Sequence, residues 1–120
     1  MKRILIVEDE KDMQEIYRQM FLKSPKFEIE IISDAAVALK KLKESKFDLV
    51  ILDIIMEPVP GDSFFVYLRT YTQTVDQPVI IVSVLEESVL ENLKKFGKVY
   101  FLKKPITQEQ LFKQIENVLQ

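Results

Sequence analysis

Leu49-Val50-Ile51-Leu52 is a run of β-prone apolar residues that ends on a carboxylate, Asp53. A strand with no polar face must be buried on both sides, as inner strands of a helix-covered parallel sheet are. Ile4 to Val7 and Val79 to Val82 have the same character. Phe27 to Ile32 alternates with Glu28 and Glu30 and predicts an edge strand, and Val99 to Leu102 supplies a fifth. Between these runs lie helical patterns: Met13, Ile16, Tyr17 and Met20; Ala35, Ala38, Leu39 and Leu42; Val89, Leu90, Leu93 and Phe96; and Leu111, Ile115, Val118 and Leu119. Each follows the spacing of one helix face. A Phe-, Tyr- and Thr-rich segment from Asp62 to about Thr72 completes five helices. Asp34 and Thr107 are expected N-caps. Gly61 lies in a Pro-rich loop before a helix, and Gly97 stands where a helix should end. Strand–helix alternation of this kind predicts an α/β fold with a parallel sheet covered on both faces.

A chain of 120 residues suits one domain, expected here to span 1–120. Its 17 basic and 19 acidic side chains give a net charge of -2, with no electrostatic reason to expect nucleic acid as a direct ligand. The absence of cysteine excludes disulfides and thiolate metal sites. The absence of histidine excludes Ser-His-Asp catalysis, histidine zinc sites and phosphohistidine chemistry within the chain. Oxygen donors remain, and these favour magnesium or calcium. No apolar run reaches bilayer length, and Ile4 to Val7 after Met1-Lys2-Arg3 is too short for a signal peptide, so no membrane association and a cytoplasmic location are expected.

Ligands of open α/β sheets bind beyond the carboxyl ends of the strands. Strand one ends in Glu8-Asp9, strand three in Asp53, strand four in Ser83, and strand five runs into Lys103-Lys104-Pro105. Clustered carboxylates repel unless a hard cation intervenes. A metal ion, an ammonium and a hydroxyl together suit a phosphoryl group, and Asp53 at the centre could attack phosphorus.

Here the sequence resembles the receiver domain of bacterial response regulators along its whole length. The residues that carry the resemblance are ILIVEDE at strand one, DLVILDIIM at strand three, PVIIVS at strand four and FGKVYFLKKPI at strand five. The resemblance implies a flavodoxin-like, doubly wound five-stranded parallel sheet of order 2-1-3-4-5. It implies Asp53 as phosphoacceptor and Asp9 as direct magnesium (Mg2+) ligand, with Glu8 acting through metal-bound water and the Ile55 carbonyl as a further contact. Ser83 would hydrogen-bond the phosphoryl group. Lys104 would pair with it, rather than Lys103, because the family's lysine directly precedes proline, usually through a cis bond. Phe101 matches the aromatic switch position. The phosphoryl donor would be a histidine kinase or phosphotransfer protein. The face formed by the fourth helix, fifth strand and fifth helix would signal to an output domain or partner, and could carry a homodimer. Lys94, Lys95, Lys98 and Tyr100 are expected near it.

Val84 and Glu57 depart from the family pattern, which usually has alanine or glycine and proline there. Val84 is expected to narrow access to Asp53, and Glu57 to add a carboxylate nearby. Taken singly, each site residue has an ordinary explanation: Glu8-Asp9-Glu10 as an acidic helix start, Asp53 and Ser83 as caps, Lys103-Lys104 as a solvated pair. The alternatives are a phosphorylation-independent interaction module, a phosphohydrolase and a flavin carrier. Ile55 argues against the hydrolase, which would place a second acid there, and the acidic strand-one loop argues against a flavin phosphate.

Overall fold

The computed structural model describes residues 1–53 and 61–120, so Ile55 and Glu57 lie outside the described residues. Among these the strands are β1 (Lys2–Val7), β2 (Phe27–Ile32), β3 (Leu49–Asp53), β4 (Val79–Ser83) and β5 (Val99–Lys103). All neighbouring pairs are parallel, in the order β2-β1-β3-β4-β5. The helices are α1 (Lys11–Leu22), α2 (Ala35–Glu44), α3 (Gly61–Leu68), a 3₁₀ helix η1 (Glu87–Phe96) and α4 (Gln108–Leu119). No helix of the described residues is long and apolar enough to cross a membrane.

The uniformly apolar strands are explained by two cores. Leu5, Val7, Val50, Leu52, Val79 and Ile81 face one, closed by α2, α3 and η1 through Ala38, Leu42, Phe64, Phe65 and Leu90. Ile4, Ile6, Leu49, Ile51, Ile80 and Val82 face the other, closed by α1 and α4 through Tyr17, Phe21, Leu111 and Ile115. Alternate side chains thus enter opposite cores, each worth about 1.5–3 kcal/mol when fully buried. Strand β2 is the edge that Glu28 and Glu30 foretold.

Both expected caps are present. Asp34 accepts from the amides of Ala36 and Val37. Thr107 forms a reciprocal capping box with Gln110. Gly97 ends η1 with a φ of 71°, a left-handed conformation that glycine adopts without strain.

Two side chains placed on core faces are not there. Ile16 is 46% exposed, and the face of α1 turns instead on Tyr17 and Phe21, with Met13 and Met20 half-buried beside them. Val89 is 63% exposed because its segment is 3₁₀ rather than α-helical. With three residues per turn, Leu90, Leu93 and Phe96 stack in one row and Val89 falls outside it. Helix α3 stops at Leu68, short of the expected Thr72.

Candidate functional site

Register builds the site. Val7 pairs with Leu52, so Glu8 comes level with Asp53 across the β1–β3 boundary. Asp53 pairs with Val82, and Ser83 pairs with Lys103. The Lys104 amide then donates to the Ser83 carbonyl at 2.7 Å. The polar residues at the strand ends therefore meet at one place because the strands are in step.

Glu8 and Asp53 are 0% and 5% exposed, and Ser83 is also buried. Lys104 Nζ donates to Asp53 Oδ2 at 2.8 Å and lies 4.0 Å from Glu8 Oε1. The Lys104–Pro105 bond is cis, as the family pattern implied. Lys103 turns away to pair with Glu86, which separates the two lysines. Ser83 Oγ accepts from the Leu85 amide at 3.1 Å. Phe101 is half-buried against the α2–α3–η1 core, with Lys94 Nζ 6.0 Å from its ring centroid. Val84, expected to narrow access, is 60% exposed.

Among the described residues, carboxylate oxygens of Glu8, Glu10 and Asp53 come within 4.8 Å of one another. Asp9, the expected direct ligand, is half-buried and is not in that group. Glu10 takes the third place, and sequence reasoning gave it no role beyond an acidic helix start. Its signal was its position as the third consecutive acid after β1, alternating with Glu8. Burial pushes the Glu8 carboxyl up to about 7, and the Asp53 charge adds to the rise, while the Glu10 amide and Lys104 oppose it. Burial, then the charges of Glu8 and Asp53, also holds the Tyr17 phenol above its ordinary value.

Glu8 Oε1 is buried and has no hydrogen-bond partner. A buried acceptor without a hydrogen bond, beside two other carboxylates that offer only oxygen ligands, fits a hard divalent cation. Glu8, Glu10 and Asp53 could hold one.

The family model for the response regulator receiver domain matches residues 4–116. The chain belongs to this family. As a receiver domain it is a signalling domain of two-component systems, with the flavodoxin-like fold of its structural neighbours. It is 31% identical to the probable C4-dicarboxylate response regulator DctR of Halalkalibacterium halodurans, over 91% of this chain and 47% of that protein. It spans about half the length of the first curated relatives it matches. The chemotaxis response regulator CheY4 of Vibrio cholerae superposes with a TM-score of 0.88 at 25% identity, covering 99% of each chain. The response regulator TrrA of Thermotoga maritima, solved in complex with Mg2+ and BeF, superposes with a TM-score of 0.84 at 25% identity, over 99% of this receiver domain and all (100%) of that chain.

Proposed function

We propose that this receiver domain is a magnesium-dependent switch in which Asp53 accepts a phosphoryl group from the phosphohistidine of a kinase or phosphotransfer protein. The observation that carries this reading is Asp53 itself: a buried carboxylate at the end of the central strand, grouped with Glu8 and Glu10 and paired at 2.8 Å with Lys104. An Asp53 oxygen bonds to phosphorus as the phosphorus–nitrogen bond to the donor imidazole breaks, and the freed imidazole leaves with the electron pair. Lys104 then exchanges the carboxylate oxygen for a phosphoryl oxygen and offsets charge in the transition state.

Asp9, Asp53 and the Ile55 carbonyl, with Glu8 through water, form the ligand set we assign from the family pattern, and Glu10 is a further candidate. A bound magnesium ion supplies positive charge that offsets the carboxylates and the phosphoryl oxygens. The Ser83 hydroxyl releases the Leu85 amide and turns to the phosphoryl group, which leaves room for Phe101 to turn inward. The face formed by η1, β5 and α4 then changes, and an output domain, a partner protein or a second copy reads it. Residues 1–120 act as one cytoplasmic domain that catalyses its own phosphorylation and dephosphorylation, without an external substrate to turn over.

The test is intact-protein mass after incubation with acetyl phosphate, with and without magnesium, for the wild type and Asp53→Asn. A single phosphoryl addition that requires both the metal and Asp53 is expected. Addition that persists in Asp53→Asn, or without metal, would overturn the assignment.

A further inference from the structure

The turn between β1 and α1 carries the acids of the site, and one neutral side chain closes it. Gln14, in the first turns of α1, donates from Nε2 to the Glu8 carbonyl oxygen at 2.6 Å. Its backbone amide donates to the Glu10 carbonyl at 3.0 Å. The Glu10 amide in turn donates to Glu8 Oε2 at 3.1 Å. On its other side, the Glu8 amide donates to the Ile32 carbonyl of β2 at 3.0 Å. Glu8 is thus held at its amide by the sheet and at its carbonyl by the Gln14 side chain. Its carboxylate also holds the amide of Glu10, whose side chain joins the same cluster.

We propose that Gln14 is a positioning residue for the cation site, holding the Glu8–Glu10 turn so that both carboxylates face Asp53 before any metal arrives. The inference rests on the magnesium reading above. Three carboxylates within 4.8 Å repel one another, and one of them, Glu8, is fully buried. The relaxed arrangement for such a turn is one that swings its acids toward water. A hydrogen bond from the helix to the peptide carbonyl of Glu8 opposes that swing without adding charge to the site. An aspartate or glutamate at position 14 would repel the same carbonyl, whereas an amide supplies the required donor. Holding ligands in place beforehand removes an ordering cost from binding, as outer hydrogen bonds do around metal ligands.

Gln14→Met keeps length and helix propensity and removes the donor. Magnesium is titrated into wild type and variant, followed by amide shifts in NMR, and amide exchange is measured on the metal-free proteins. Loss of one such bond is expected to weaken magnesium binding about three- to tenfold. In the metal-free variant the Glu10 amide should exchange faster. Phosphoryl uptake from acetyl phosphate should return to the wild-type rate at saturating magnesium. An unchanged magnesium affinity would overturn the proposal, even with a lowered melting temperature, since the bond would then be structural only. So would unaltered Glu10 exchange, or uptake that stays slow at every magnesium concentration. Wild-type protein that binds no magnesium would refute the magnesium reading itself, an outcome distinct from any difference between wild type and variant.

Discussion

The two ends of the sheet treat buried polar groups in opposite ways. Among the described residues, two buried side-chain atoms have no hydrogen-bond partner, and one lies toward each end: Arg69 Nε and Glu8 Oε1. At the amino end of the strands, Arg69 donates through its other nitrogens to the carbonyls of Thr74 at 3.3 Å, Gly97 at 3.0 Å and Lys98 at 3.3 Å. Its guanidinium also lies 4.7 Å from the centre of the Phe65 ring. Arg3 does similar work nearby, donating to the Lys46 carbonyl and, through its amide, to Asp48. There a cation ties loops together, and one idle N–H is a small defect in a satisfied group. At the carboxyl end the idle atom is an acceptor among like charges, facing one lysine. The same kind of vacancy is incidental in a fastening and informative in a site.

Substitutions should separate these roles. The largest effect is expected at the carboxyl end: Lys104→Ala should slow phosphoryl uptake about a hundredfold, as loss of a charge-stabilising donor does, measured by intact mass over time. Arg69→Ala should leave magnesium binding unchanged but lower unfolding stability by about 1–2 kcal/mol in urea, because three guanidinium hydrogen bonds are lost, although the Thr74 and Lys98 carbonyls keep the amides of Gln77 and Val79. Loss of magnesium affinity in that variant would break the separation.

A pH titration of the metal-free protein sharpens it further. The folded state holds the Glu8 proton up to about 7, above the ordinary 4.5, whereas the unfolded chain releases it near the ordinary value. The stabilisation is therefore fully present below the ordinary value and is lost as pH rises through about 7. Metal-free protein should be more stable at pH 5 than at pH 8 by about 2 kcal/mol. Glu8→Gln should flatten that slope. The smallest effect is expected for Lys103→Ala, whose pair with Glu86 is exposed: about 0.5 kcal/mol or less, reduced further by salt.

The inner strands were legible because burial on both faces leaves an unmistakable apolar run, and their ends named Glu8, Asp53 and Ser83, whereas the end of β5 offered Lys103 and Lys104 together and only the family pattern chose Lys104. Asp34 and Thr107 were legible because capping is local chemistry. Val89 was misplaced because periodicity presumes 3.6 residues per turn, and a 3₁₀ segment has three. Ile16 was misplaced because a helix face is wider than the strip that its neighbours cover. Gln14 was invisible as a site residue, and Glu10 was read only as part of an acidic helix start, for a different reason. Their roles depend on how one turn folds back on itself, and no spacing rule records that.

Strand β1 is paired on both sides, although it comes first in the chain. A ribosome therefore releases an inner strand first, then β2 at one flank, and afterwards β3, β4 and β5 outward on the other. Glu8 and Asp53 can stand side by side once β3 has joined, but Lys104 follows β5 and arrives last. The last strand to be made thus carries the ammonium that offsets acids supplied by two earlier strands, so the charge balance of the centre waits on the end of the fold.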